Sequence, residues 1–275
     1  MIGSNHNSVP LKITQALSRY VTAFYNLGIC ASLKIFIYSV FFKNESEISI
    51  ETKNFGKIFW NTKRDWVITH FYTPQLEIYN PTNDIRIKTI VDLGANIGIE
   101  SIRMSRLYKN ARIIAVEAEY GNFQKLQKNI SNFDQIEAVH AAIWSENCNL
   151  ELCPARDGNN QGWHLKKVDT GKSFDMTGMT FEELIRSHRL RSIDILKIDL
   201  EGAEVELFSN KFSEWIHDIK CIVIECPDGD TPLATSLIFK KFHDADYNFN
   251  TYLNGENLIL IRSDLNWLTR SIEIY

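Results

Sequence analysis

The chain has 275 residues, 44% of them hydrophobic and 23% charged, with 30 basic against 34 acidic side chains. This balance excludes a mainly disordered chain, a collagen and a small disulfide scaffold, and the length suits one α/β domain with an appendage or two small domains. A net charge of -4 speaks against duplex nucleic acid as the main partner, because neutralising phosphates requires a basic face.

Met1 to Pro10 is polar, with no basic segment leading into an apolar run, so no secretory leader is expected. Cysteines at 30, 148, 153, 221 and 226 are few and odd in number. A reducing, cytoplasmic location is the expectation. Neither 148/153 nor 221/226 has the spacing of a zinc knuckle.

Residues 1–88 form the first expected part, an extension of one helix and short strands. Leu11 to Phe42 reads as helical, with Ile13, Leu17, Tyr20 and Phe24 on one face. Its most apolar stretch, Gly28 to Phe42, would reach only ~22 Å as a helix, short of the ~30 Å hydrocarbon core. A buried or interfacial helix is expected, with peripheral membrane contact or pairing with a second protomer left open. Ile48, Ile50, Phe59, Trp60, Val67 and Ile68 suggest two or three strands, turning at Asn54-Phe55-Gly56 and Asn61-Thr62-Lys63. Pro74 and Pro81 punctuate the way onward.

Residues 89–275 form the second expected part, in which strands alternate with helices. Thr89 to Leu93 is an apolar strand, and Ile97, Ser101, Met104 and Tyr108 share one helical face. Arg112 to Ala118 is the next strand, followed by a stripe of Tyr120, Phe123, Leu126 and Ile130. Ile136 to Ile143 reads as a third strand. Ser145 to Phe174 reads as a long, polar, irregular segment of the kind that forms lids. Thr180 and Glu183 make a capping box. Ser192 to Asp199 is a strand, Val205, Phe208, Phe212 and Trp215 a helical stripe, and Ile219 to Glu225 a strand. Thr231-Pro232 opens a helix to about Asp244. Two final strands flank Asn254-Gly255, a hairpin signal. The pattern predicts a Rossmann-like, doubly wound, mostly parallel α/β sheet with an antiparallel last strand. Its ligands are expected beyond the carboxyl ends of the strands.

Two segments there carry chemistry. Asp92-Leu93-Gly94-Ala95-Asn96-Ile97-Gly98 closes the first strand of this part. It has neither the Gly-x-Gly-x-x-Gly of dinucleotide binders nor a P-loop lysine. Glu117, ending the next strand, is placed to accept both hydroxyls of a ribose. Asp92 adds negative charge that suits an ammonium or sulfonium and repels a pyrophosphate. The bland alternative is turn glycines and a solvated carboxylate. The second segment, Asp194 to Glu204, delivers Asp199 and Glu201 to a strand end, and charges on a buried strand require pairing or a cleft.

These stretches resemble the FkbM-type family of S-adenosylmethionine-dependent methyltransferases, a class I methyltransferase fold. The likeness runs through VDLGANIGIES, IIAVEAE, AAIWSEN, MTFEELI, IDILKIDLEGAEVELF and IKCIVIE. It implies S-adenosylmethionine as cofactor, held by Asp92, Gly94, Asn96, Gly98, Glu117 and Ala142. It further implies O-methylation of a hydroxyl on a sugar, glycan or secondary metabolite. By their placement, Asp199, Glu201, Glu225 and His164 are the catalytic candidates. Where the family often has a histidine after the fifth-strand glutamate, this chain has Glu225-Cys226-Pro227. Asp199 and Glu225 holding Mg²⁺ is a further reading; a salt bridge to Lys197 is its alternative. His70, His140 and His164 each have packing as an alternative, and Trp163 is expected either on an acceptor sugar or packing a hairpin. A nicotinamide-dependent oxidoreductase and a non-catalytic scaffold are the competing readings. Against the first, Asn96 stands where a dinucleotide turn needs glycine.

Overall fold

The computed structural model describes residues 27–41, 47–61, 86–154, 163–169, 171–225, 233–254 and 257–265. The chain divides into two compact units, Met1–Pro74 and Gln75–Tyr275. In the first, helix α1 (Ile29–Phe41) accompanies an antiparallel hairpin of β1 (Glu47–Thr52) and β2 (Gly56–Asn61). Ala31 and Ile35 of α1 are buried, as are Ile50, Ile58 and Trp60 of the hairpin. Lys34 Nζ donates to the Ser49 carbonyl, and the Lys53 N–H to that of Leu27. The expected residues 11–26 of the helix, the turn residues Thr62 and Lys63, and Val67 and Ile68 lie outside the described residues, as do Pro74 and Pro81. No helix among the described residues is long and apolar enough to cross a membrane.

The second unit follows the predicted alternation. Its strands and helices are β3 (Thr89–Leu93), α2 (Ile99–Leu107), β4 (Arg112–Glu117), α3 (Tyr120–Asn129) and β5 (Ile136–His140). After β6 (Ala142–Ile143), β7 (Asn149–Pro154), β8 (Trp163–Lys167) and β9 (Met176–Met179) come α4 (Phe181–Ser187), β10 (Ile193–Ile198) and α5 (Glu204–Leu207). The last elements are β11 (Ile219–Glu225), α6 (Ala234–Asp244), β12 (Phe249–Asn254) and β13 (Asn257–Arg262). The main sheet has seven strands in the order β12-β13-β11-β10-β3-β4-β5. The strands from β11 through β5 are mutually parallel, and β13 inserts antiparallel between β11 and β12. This is the predicted Rossmann-like doubly wound sheet. Central strands β3 and β10 are buried along their length, which requires cover on both faces.

Three sequence expectations need correction. Ser145 to Phe174 is not irregular: β7 and β8 pair antiparallel and join β9 and β6 in a second, four-stranded sheet. The signal was the alternation of Leu150 and Leu152 with polar neighbours, a period of two. The expected strand Ile136 to Ile143 breaks at Ala141, where the chain leaves the main sheet for the small one. The stripe from Val205 to Trp215 is not one helix. α5 spans only Glu204–Leu207, and two 3₁₀ turns follow, because Lys211 takes a left-handed φ of 51°. Phe208 and Trp215 still reach the core, packed with Phe181 and Phe242. The cap at Thr231-Pro232 and the turn residue Gly255 lie outside the described residues.

The tightest approach in the second unit joins the ends of β3 and β10. The Asp199 N–H donates to the Leu93 carbonyl at 3.1 Å, and Gly94 lies so close beneath that a Cβ there would fall on the Asp199 carbonyl. Gly94 also holds φ 79°. At Gly98, φ 89°, a Cβ would stand 2.6 Å from Leu126 Cδ1 of α3. Both glycines therefore have a packing reason independent of any ligand. The obstruction differs: backbone cannot yield, whereas a leucine tip can. In thermal denaturation, Gly94→Ala is expected to destabilise by about 3 kcal/mol or more and Gly98→Ala by about 1–2 kcal/mol; equal effects would refute the difference in obstruction.

Candidate functional site

The chain passes from β3 to β4 on one side of the sheet and from β10 to β11 on the other. The gap between β3 and β10 is thus the topological switch point, where open α/β sheets leave a crevice at their carboxyl ends. Two turns face each other there, residues 94–98 and 199–204. In the first, the N–H groups of Gly94 and Ala95 both donate to the Val116 carbonyl. Asn96 has a left-handed φ of 50°, and Asn129 Nδ2 supports the Ile97 carbonyl at 2.8 Å. The turn feeds the amino terminus of α2 with Gly98 as its cap.

Glu117 closes this side. Its Oε2 accepts the Asn96 N–H at 2.8 Å and its Oε1 the Glu119 N–H at 2.9 Å. Glu119 in turn caps α3 by accepting the Asn122 N–H. Burial pushes the Glu117 carboxyl up to about 7, against the opposing pull of the Glu119 and Asn96 amides. Beside it, His140 stacks on Phe123 and bonds the Ala118 carbonyl through Nε2. That is a packing role.

Across the gap, Lys197 of β10 lies in register with Asp92 of β3. Lys197 Nζ donates to Asp199 Oδ2 at 3.0 Å and stands 3.7 Å from Asp92 Oδ1. Asp92 is fully buried; Ser101 Oγ donates to its Oδ2 at 2.6 Å, while Oδ1 has no hydrogen-bond partner among the described residues. Burial raises the Asp92 carboxyl above its ordinary range, against the pull of Lys197 and Ser101. Burial alone would lower the Lys197 ammonium, but Asp199, Asp92 and Glu100 outweigh it and hold the group well above its ordinary value. Asp199 keeps 22% of its side chain exposed. The turn beyond it is built by Glu204, whose carboxylate accepts the N–H groups of Leu200 at 2.7 Å and Gly202 at 3.0 Å. Glu201, exposed at φ 51°, rides on that turn. Ile198 and Ile224 are the last register pair of β10 and β11, and Asp199 and Glu225 are the residues that follow them.

The small sheet walls the second turn. Ala142, Trp144 and Leu150 cluster with Ala203, and Leu165 and Leu200 pack against them. Ser145 Oγ donates to Glu206 Oε2 and ties the wall to α5. Ala142, expected at the cofactor, is 1% exposed in this cluster. Leu165 faces the cluster, so His164, next to it on β8, belongs to the opposite face by strand alternation. Among the described residues no group of three or more His, Cys, Asp or Glu side chains is arranged to hold a metal ion, and Lys197 engages Asp199. His70, Asn159 to Gly162, the Trp163 side chain, Cys226 and Pro227 lie outside the described residues.

Sequence reasoning brought Asp92, Gly94, Asn96, Gly98, Glu117, Asp199, Glu201 and Glu225 to one end of the sheet. It overlooked Ser101 as the partner of Asp92, Glu119 as a cap, and Glu204 as the clamp of the second turn. Only Glu204 had a readable signal, an acid two residues beyond a turn glycine.

The second unit matches a family model described as the methyltransferase FkbM domain over residues 92–249. Methyltransferase 1 of Beauveria bassiana is 27% identical over 175 residues, covering 55% of this chain and 70% of that protein. Methyltransferase sdnD of Sordaria araneosa is 28% identical over 189 residues, covering 56% of this chain and 73% of that one. Among solved structures, a methyltransferase FkbM from Methylobacillus flagellatus superposes with a TM-score of 0.43 and 15% identity, covering 66% of this chain and 45% of that chain. Because the matched region, residues 92–249, spans more than half of the chain and holds both turns and Glu117, the chain belongs to the FkbM domain family of methyltransferases.

Proposed function

We propose that the chain transfers a methyl group from S-adenosylmethionine to a hydroxyl oxygen of a sugar, glycan or secondary metabolite. The observation that carries this reading is the acidity of the switch point. Asp92, Asp199, Glu201, Glu204, Glu117 and Glu119 line or underlie the two turns, with Lys197 among them and Arg103 engaged by Glu100. Such a donor set fits a ligand carrying an ammonium and a sulfonium, and it disfavours the pyrophosphate of a nicotinamide dinucleotide.

When bound, S-adenosylmethionine supplies a methyl group on a positively charged sulfur, which leaves with the bonding electron pair as a neutral thioether. The chain's part is to hold and align. Glu117 would take the ribose hydroxyls on lone pairs its two amide bonds leave over. The turn from Gly94 to Gly98 would bring backbone close to the ligand. Asp199, on the second turn, keeps part of its side chain exposed. Asp199 or Glu225 would receive the acceptor's hydroxyl proton as oxygen attacks carbon. Holding acceptor, methyl and sulfur in line is the larger contribution, and the mutual fixing of the two turns serves it.

Isothermal titration separates the readings: S-adenosylmethionine and S-adenosylhomocysteine should bind and NAD should not, whereas binding of NAD alone would reject the proposal. Glu117→Gln should weaken S-adenosylmethionine on the order of 10- to 100-fold.

The pH dependence has a definite sign. Because the Glu117 carboxyl is raised from 4.5 to about 7, the folded state holds its proton more tightly than the unfolded chain. Its contribution to stability is full below 4.5 and is lost as pH rises through about 7. Ligand binding to the ionised form runs the opposite way. Affinity for S-adenosylmethionine should fall by up to about tenfold per pH unit below 7, and the Glu117→Gln variant should lose this slope; a flat wild-type profile would count against the ribose role.

With methyl-labelled cofactor and an acceptor fraction, Asp199→Asn should slow label transfer on the order of 100-fold or more. The product should keep its label through mild alkali, as an ether does and an ester does not.

A further inference from the structure

Lys197 stands between two carboxylates and is hydrogen-bonded to one. Its Nζ donates to Asp199 Oδ2 at 3.0 Å, while 3.7 Å to Asp92 Oδ1 is an ion-pair distance too long for a hydrogen bond. That Asp92 oxygen is fully enclosed and has no hydrogen-bond partner among the described residues. A buried carboxylate oxygen left so is unfavourable and calls for an explanation. The two seats also differ in access. Asp199 is 22% exposed at the turn that touches Leu93 and Gly94, whereas Asp92 is sealed beneath it. A shift of about one ångström along a flexible lysine stem would convert the long contact to a charge-assisted hydrogen bond.

We infer that Lys197 is a charge-sensing positioning residue: it sits on Asp199 when no cation is near, and yields Asp199 to the cationic sulfur of the donor by moving onto the Asp92 oxygen. This rests on the donor being S-adenosylmethionine. Two cations on one partly exposed carboxylate repel each other, and the enclosed Asp92 oxygen gives the ammonium somewhere to go. Once the methyl has left, the sulfur is neutral, and Lys197 returns to Asp199. The same side chain thus makes room for the charged donor, at a cost in donor affinity, and reoccupies Asp199 once the sulfur is uncharged. Glu100, its other acidic neighbour, is held by Arg103 and offers no competing seat.

Paired titrations of S-adenosylmethionine and S-adenosylhomocysteine test this. In Lys197→Met the affinity ratio of donor to product should rise on the order of tenfold or more, since a positive charge beside the sulfur is gone. A purely structural lysine would weaken both ligands together. Should Lys197→Met not fold, the Asp92→Asn/Lys197→Met double variant removes both buried charges and reads the same ratio. Crystal structures of the wild type should place Lys197 Nζ on Asp92 Oδ1 with the donor bound and on Asp199 Oδ2 with the product bound. An unchanged ratio, or Lys197 seated on Asp199 in both complexes, overturns the inference while leaving the donor assignment intact. Failure of either sulfur ligand to bind the wild type overturns both.

Discussion

The contact between the Asp199 carbonyl and Gly94 fixes everything that the carboxyl end of the sheet can do. β3 and β10 pair in parallel up to Leu93 and Ile198, and the next residues then meet backbone to backbone instead of splaying apart. Splaying is the usual fate of chains leaving adjacent strands on opposite faces, and it produces the crevice of this fold class. Here the crevice has a floor made of peptide groups. The two turns, residues 94–98 and 199–204, are therefore joined through that floor. Methyl transfer depends on a line through three atoms, so a shared floor matters more than the strength of any single contact.

Charge distribution along β10 separates what is structural from what is functional. Asp194, near the amino end, is as buried as a functional aspartate, yet it is saturated. It accepts the N–H groups of Lys88 and Thr89 and the Lys220 ammonium. Such a group locks strand order, with both of its oxygens engaged by the protein. At the other end Asp92 keeps an oxygen without a hydrogen bond, Lys197 is shared unequally, and Asp199 is partly exposed. Buried ion pairs are weak contributors to stability once desolvation is counted. An incomplete one at a switch point is better explained by a ligand than by folding.

The alternation of strands and helices was legible because each element carries its own period: Ile97, Ser101, Met104 and Tyr108 repeat at helical steps and are all buried. The capping box of Thr180 and Glu183 was legible because it is local. What failed was whatever depended on tertiary neighbours. Val205 to Trp215 has helical spacing, but its apolar residues reach the core through a broken path at Lys211. The stretch from Ser145 to Phe174 looked polar because the small sheet buries only one face, at Leu150 and toward Leu165. The site shows the same division. Glycines, Glu117 and Asp199 were found from their types and positions, whereas Ser101 and Glu119 act through hydrogen bonds that no spacing reveals. Both chosen glycines also have a packing reason for being glycine.

That second reason bears on how the site is read. If Gly94 and Gly98 are required by Asp199 and Leu126, their presence alone does not argue for a ligand. The argument passes to the groups whose placement packing does not require. Glu117 staples the two loops together through the amides of Asn96 and Glu119, a task an amide side chain could share only in part, since one of its ends donates. A carboxylate pushed up to about 7 by burial is an expensive staple. Under the proposed function it offers the ribose acceptors on both sides of the same group. The small sheet packs Trp144, Leu150 and Leu165 against Leu200 and Ala203 of the second turn, and apolar surroundings strengthen the charges placed beside them.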